Sequence, residues 1–371
     1  MTTHETERDL LGGLSPTAWD KMADGHFYST STWLSHCASY PGASCGAAVA
    51  GSAAVPIVRF DGPPPGNYHW ADLLAKRELP VVPIDGLLVG SRLAYQSHLL
   101  GDRSPTALSG LVAEVRALAT EQPAVAMYLS TSDVLALHAA GVRATPVLLE
   151  PDAWLDVPEG GWDAWLQSLP SKRRVSVRRE VRLFEEAGLK ITHVALEECW
   201  DRLPPVANSM AIKYGYSART PDFIKEFARY RESSGAVAQV ALCTKGDNDD
   251  LLGFCMYYKH GDTIFLRWAS FDYDLLTGNM EYFNLTYYTH IRLADRAGTR
   301  RLHAGKGAVD AKVFRGAHLR PLWMLDLSEN SPHEQAEGDI RRHNARLLAD
   351  LEADKRMSRA ITDRAEWSVF C

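Results

Sequence analysis

The stretch whose residue types and spacing promise chemistry is Leu169-Pro170-Ser171-Lys172-Arg173-Arg174-Val175-Ser176-Val177-Arg178-Arg179-Glu180-Val181-Arg182. On a helix capped by Ser171, Arg174, Arg178 and Arg182 fall on one stripe, and Val177, Val181 and Phe184 form an apolar stripe beside it. The apolar stripe pins the helix to a core and leaves Lys172, Arg173, Arg174, Arg178 and Arg179 as a cationic ridge. Guanidinium groups bind phosphate oxygens through paired N–H donors, and a helix N-terminus adds positive potential. The ridge suits the phosphates of a nucleotide or of an RNA backbone; a solvated charged face fits the same pattern.

A second basic cluster, Arg300-Arg301-Leu302-His303-Ala304-Gly305-Lys306-Gly307, is followed by Lys312 and Arg315. A strand end running into a glycine-flanked lysine puts an ammonium where backbone can approach a ligand closely. Amide formation from an ester needs a stabilised oxyanion more than a nucleophilic side chain, because the acceptor amine attacks. Lys306, Lys312 and Arg315 are the candidates for that charge, with His303 beside them as a substrate contact; a surface turn with incidental charge is the plain alternative. Tyr214, Tyr216 and Arg219 sit in a glycine-containing loop suited to covering a substrate. Arg267 lies mid-strand among Phe265, Leu266 and Trp268, where it serves either as an ion-pair partner or as a ligand for a carboxylate or phosphate. His26, His69, His98 and His193 have no metal-ligand spacing, and no nucleophile elbow, Walker loop or Rossmann fingerprint occurs.

These residues need a frame. Ser104 and Pro105 open a helix that carries Leu108, Leu111, Val112, Val115 and Leu118 on one face, and strands are expected at 124–130 and 144–149 with a helix from Asp133 to Ala140 between them. Residues 47–60 are apolar, and Pro63, Pro64 and Pro65 mark a loop. Past a boundary rich in Pro, Asp and Gly at 150–161, Trp162, Trp165, Leu166 and Leu169 repeat at helical spacing. Three strands at 236–243, 251–258 and 263–270 form an antiparallel meander, then come a helix over 279–297, a strand at 301–304, a helical piece through Phe314 and a strand at 322–327. That succession is the one expected of an acetyltransferase-like half, and 133–149 loosely repeats the pattern of 310–325.

At 371 residues the chain is long enough for two such halves. The expected division is 1–155, 156–330 and a helical tail over 331–371, giving an α/β protein of two tandem domains, each a mixed sheet flanked by helices. Residues 1–14, with His4, Glu5, Glu7 and Asp9, lack the order of a secretion signal, and no apolar run reaches bilayer length, so a cytoplasmic protein without membrane insertion is expected. Six cysteines without paired C-x-x-C spacing point to reduced thiols and give no zinc ribbon. A formal net charge of −6 opposes diffuse attraction to nucleic acid, so any RNA contact must use a local patch such as the ridge.

The stretch from Leu169 to Arg182 resembles a motif of the Fem-like acyltransferases of peptidoglycan biosynthesis or recognition. Phe27-Tyr28-Ser29-Thr30-Ser31-Thr32-Trp33-Leu34 resembles the family's early segment, and Lys312, Arg315, Gly316 and Pro321 its late one, so the likeness spans about 27–327. The resemblance implies two acetyltransferase-like domains, aminoacyl-tRNA as co-substrate with no bound cofactor or metal, and an amine acceptor, either a small natural-product intermediate or a cell-wall precursor. Acetyltransferases that use coenzyme A hold its pyrophosphate on a glycine-rich turn after the meander. Here that turn reads Phe271-Asp272-Tyr273-Asp274-Leu275-Leu276-Thr277-Gly278, which weighs against coenzyme A. An acyl-coenzyme A N-acyltransferase and a non-catalytic module for anionic or peptide ligands remain the competing readings.

Overall fold

The computed structural model describes residues 10–246 and 250–371, so His4, Glu5, Glu7 and Asp9 and part of the turn at 246–250 lie outside the described residues. In chain order the strands are β1 (Ala43–Ala50), β2 (Ala53–Phe60), β3 (Leu87–Val89), β4 (Leu100–Gly101), β5 (Ala124–Leu129), β6 (Val147–Asp156), β7 (Leu189–Ala195), β8 (Ala238–Lys245), β9 (Asp250–His260), β10 (Thr263–Phe271), β11 (Arg301–Lys306) and β12 (His318–Asp326). The chain forms two compact units. One takes the chain up to Asp152 together with Lys306–Val309 and His318–Cys371; the other takes Ala153–Gly305 and Asp310–Ala317. The strand expected at 144–149 is therefore longer than its apolar run, and the change of unit falls inside β6 rather than in the loop that follows.

In the first unit the sheet order is β1-β2-β3-β5-β12, with β4 on β2. The apolar stretch at 47–60 is a hairpin: Ala50 pairs with Ala53 across a two-residue turn in which Gly51 takes φ +58°, a value glycine adopts without a Cβ penalty. Strands β3 and β5 run parallel, and β12 pairs antiparallel with β5. The helix Pro105–Ala119 starts where expected, with the Ser104 hydroxyl accepting the Ala107 N–H, and buries Leu108, Leu111, Val112 and Val115, while Leu118 stays exposed. Trp70, Leu74, Val125, Met127, Leu322 and Met324 build the main core and Trp19, Leu34 and Leu100 a second one.

The tail packs into this unit's core. Asn344, on the helix Glu337–Ala353, accepts the Leu148 N–H at 2.8 Å and donates to the carbonyls of Pro146 and Phe370. Ile340 and Trp367 are fully buried. The sequence shows only a weak stripe here because burial is carried by a few large residues and one asparagine, not by a regular heptad.

In the second unit the order is β11-β10-β9-β8-β7, and the expected meander β8–β9–β10 is antiparallel throughout. Phe227 stacks on Trp268 with ring centroids 4.7 Å apart, and Phe254 and Tyr230 pack around the same indole. The helix expected at 279–297 is observed as Glu281–Phe283, a π-helical turn at Asn284–Tyr288 and Thr289–Arg296. Each unit is thus a mixed sheet flanked by helices, the α/β class expected. Among the described residues no helix is long and apolar enough to cross a membrane.

Candidate active site

Strands β10 and β11 pair in parallel only over Thr263–Phe265 and Arg301–His303, although β10 continues to Phe271. The register of β10 against β9 slips between Leu266 and Trp268, so Arg267 is the extra residue of a bulge. Bulges bend a strand away from its neighbour, and the pairing with β11 ends just before this one. Arg267 is half-buried at this point, and His303 is fully buried on β11, 4.5 Å from the Trp154 ring and 5.4 Å from Phe265 between centroids. His303 is therefore a packed core residue.

The helix Ser171–Glu186 forms as its spacing requires, with Val177, Val181 and Phe184 buried. Pro170, not Ser171, occupies the cap position, and no side chain caps the helix. Its cations divide into two sets. Arg174 turns back to donate to the Leu169 carbonyl at 2.7 Å and to that of Gln167. Arg173 donates to the Phe314 carbonyl at 2.6 Å and stacks over that ring. Both leave the expected ridge, because carbonyls near the helix start and at the end of the helix Val309–Val313 need donors. Lys172, Arg178, Arg179 and Arg182 stay exposed, with Arg182 beside Glu186. Lys172 and Arg179 line a groove of about 430 Å³ with Val175, Ser176, Leu183 and Met280, and Glu180 is at its edge.

Glu180 joins two of the three segments on which the family likeness rests. Its carboxylate receives Arg315 at 3.2 Å and the Tyr288 hydroxyl, and lies 3.8 Å from Arg173. Arg315 is 2% exposed, donates also to the Ala311 carbonyl, and has its guanidinium carbon 3.2 Å from the Phe283 ring centroid. Burial, opposed in part by Arg315, pushes the Tyr288 hydroxyl well above its usual range, so it remains a donor. Gly316 takes φ +85°, and a Cβ there would meet Leu169 Cδ2 at 2.9 Å. The arginine-glycine pair is thus fixed by the helix it packs against.

Lys312 and Lys306 are not solvent-facing groups. Lys312, 5% exposed, donates to the Gly305 carbonyl at 2.8 Å, which places a cation behind the end of β11. Lys306, which belongs to the first unit, pairs with Glu150 at 3.1 Å, lies over the Tyr128 ring and has a side chain only 7% exposed. Tyr214 and Tyr216 are exposed, and Arg219 pairs with Asp222 at 3.1 Å. Among the described residues no group of three or more His, Cys, Asp or Glu could hold a metal ion.

The turn after β10 is closed on itself. Asp272 accepts the Asp274 N–H on its carboxylate, and its carbonyl accepts those of Leu275 and Leu276. Glu281, buried, takes both the N–H and the hydroxyl of Thr277, at 2.7 and 2.6 Å. Ser209 donates to Asp272 and accepts the Tyr273 N–H. The backbone N–H groups from Asp272 to Thr277 are bound to oxygens of the chain itself. Glu180 and Glu281 were not among the sequence candidates. Their only signal was a lone acid, one among arginines and one opening a helix.

No known protein family matches the sequence, and neither does any curated protein. Solved structures do share its fold. FemX aligns with a TM-score of 0.59 at 11% identity over 90% of this chain and 98% of its own. The C-terminal DUF2156 domain of an Agrobacterium fabrum protein aligns at 0.57 and 11%, over 90% and 95%. L-PGS from Bacillus licheniformis aligns at 0.54 and 11%, over 89% and 93%. The chain therefore shares its fold with FemX and with these two proteins.

Proposed function

We propose that this chain is a transferase that moves an aminoacyl group from tRNA onto an amine, forming an amide. The observation that carries the reading is the closed turn after β10: with Asp272 and Glu281 occupying its amides, two carboxylates stand where a coenzyme A pyrophosphate would have to bind. An anion there meets the repulsion of these carboxylates, and the N–H groups from Asp272 to Thr277 are already taken. The exposed cations Lys172, Arg178 and Arg179, two of them lining a groove, offer a separate landing for backbone phosphates. The Fem-type fold agrees with such a donor, and a donor of this kind fits a cytoplasmic protein.

In the reaction the neutral amine attacks the ester carbonyl, a C–N bond forms, and the carbonyl oxygen gains charge. Collapse breaks the ester C–O bond, and the proton lost by the amine ends on the departing ribose oxygen. The proposed place for this carbonyl is where β10 parts from β11, beyond the Phe265–His303 pair. Lys312 is a buried cation bonded to the Gly305 carbonyl near the end of β11 and acts by the positive field it sets there, while Arg315, paired with Glu180, acts by holding the segment after β11 in place. Tyr214, Tyr216, Arg219 and Arg267 are the proposed substrate contacts, and the acceptor is a small amine of natural-product assembly or a cell-wall precursor.

The test is incubation with charged, radiolabelled tRNA pools and candidate amines, with and without ribonuclease, and in parallel with labelled acyl-coenzyme A. Label in an amide product that disappears after ribonuclease supports the proposal. Transfer that survives ribonuclease, or that proceeds from acyl-coenzyme A alone, overturns it.

A further inference from the structure

Residues 212–219 lie exposed as an unbroken segment, and within it Ile212, Tyr214 and Tyr216 are 52%, 64% and 66% accessible. A contiguous exposed apolar patch points to a binding surface, where single exposed apolar residues do not. The segment borders the closed turn. Tyr214 meets Tyr273 with ring centroids 6.4 Å apart, Ser209 bonds to the backbone and side chain of that same turn, and Leu275 adds a further exposed apolar group. Cations alternate with these rings: the Lys213 ammonium lies 5.5 Å from the Tyr273 centroid, and Arg219 lies 6.0 Å over Phe223. Of the nearby acids, Asp222 is engaged with Arg219 and Asp272 with Ser209 and the Asp274 amide, while the Asp274 side chain is exposed. Gly215, at φ +83°, reverses the chain between the two tyrosines and bears no side chain that could cover either ring.

We infer that Tyr214, Tyr216 and Tyr273, with Lys213, form a stacking platform for the unpaired bases at the end of the nucleic-acid donor. The inference rests on the proposed RNA donor and names how that donor is gripped beside the turn. Every base has a π-face, so flat exposed rings hold a single strand without reading its sequence, and an interleaved ammonium tracks its backbone. With the N–H groups from Asp272 to Thr277 bound within the turn, stacking supplies an attachment that does not draw on them.

The experiment uses the full chain and a short single-stranded RNA ending in two unpaired cytidines and a 2-aminopurine, whose fluorescence is quenched when the base stacks. Quenching on addition of the protein is expected. Replacing both tyrosines, Tyr214→Ala with Tyr216→Ala, should weaken binding by at least about five-fold, while Tyr214→Phe with Tyr216→Phe should bind as the unaltered chain does. Because both side chains are exposed, the phenylalanine pair also controls for folding. Equal affinity of the alanine pair and the unaltered chain overturns the platform. So does displacement of the probe by coenzyme A or by an aromatic peptide at lower concentration than by unlabelled RNA, which would assign the rings to another occupant. The two readings separate cleanly. Quenching lost in the alanine pair, without any transfer from charged tRNA, keeps the platform and sinks the reaction; transfer with a KM for charged tRNA unchanged in the alanine pair does the reverse.

Discussion

Replacing Arg315 by methionine tests whether the carboxylate of Glu180 is what ties the helix Ser171–Glu186 to the segment after β11. The guanidinium is 2% exposed, its partner side chain 13%, and the two meet at 3.2 Å. Methionine fills similar volume and can rest on the Phe283 ring, so cavity formation contributes little. What remains is Glu180 with the Tyr288 hydroxyl and with Arg173 at the longer distance of 3.8 Å. Removing one member of a buried pair costs about 3–5 kcal/mol, which for a domain of this size lowers Tm by roughly 6–20 °C. Urea unfolding followed by tryptophan fluorescence, with calorimetry alongside, reads the loss. The double variant Glu180→Gln with Arg315→Met removes the uncompensated charge and should recover on the order of 2 kcal/mol of it. If Arg315→Met costs less than about 1 kcal/mol, or if the two substitutions simply add, the pair is not the tie and the reasoning fails.

Other substitutions probe separate parts of the argument. Gly316→Ala places a Cβ 2.9 Å from Leu169 at φ +85° and should destabilise by about 1–3 kcal/mol, read as a shift of the urea midpoint; a change within about 0.5 kcal/mol would show that Leu169 gives way. His290, fully buried with its Nδ1–H donating to the Thr286 carbonyl, is pushed down to about 3 by burial and by His193. A histidine depressed in the fold binds its proton better when unfolded, so its stabilisation is complete above pH ~6.5 and drains as pH falls towards the folded value, by about 2 kcal/mol at pH 5. Urea midpoints at pH 7.5 and 5 should therefore fall for the unaltered chain and fall less for His290→Gln; equal falls would remove His290 as the cause. Lys172→Ala and Arg179→Ala should each lower the salt slope of tRNA binding by about one, whereas Arg182→Ala, beside Glu186, should leave it nearly unchanged. Three equal slopes would place the RNA elsewhere.

The elements with a strong period were legible before any coordinates. The helix at Pro105–Ala119 announces itself by Ser104, Pro105 and four apolar residues at helical spacing, and the meander by turn residues between apolar runs. What failed to show was long-range. Strand β12 follows the second unit in sequence yet pairs with β5 of the first, a pairing decided by which edge is open and not by local pattern. The same limit shaped the site. Periodicity says which face of Ser171–Glu186 is apolar, but not that Arg173 and Arg174 fold back onto carbonyls while Lys172 and Arg179 face a groove, because hydrogen-bond demand at Phe314 and Leu169 arises only once the segments meet. Glu180 was unreadable for the opposite reason. A single acid among arginines looks like charge balancing on a solvated helix, and only the approach of Arg315 and Tyr288, more than a hundred residues away in sequence, turns it into the joint of the two motifs. The residues that resembled a family most closely are thus those that hold each other. The proposed chemistry lies beside them, at the bulge around Arg267, where β10 leaves β11, and at the exposed rings that flank the turn after β10.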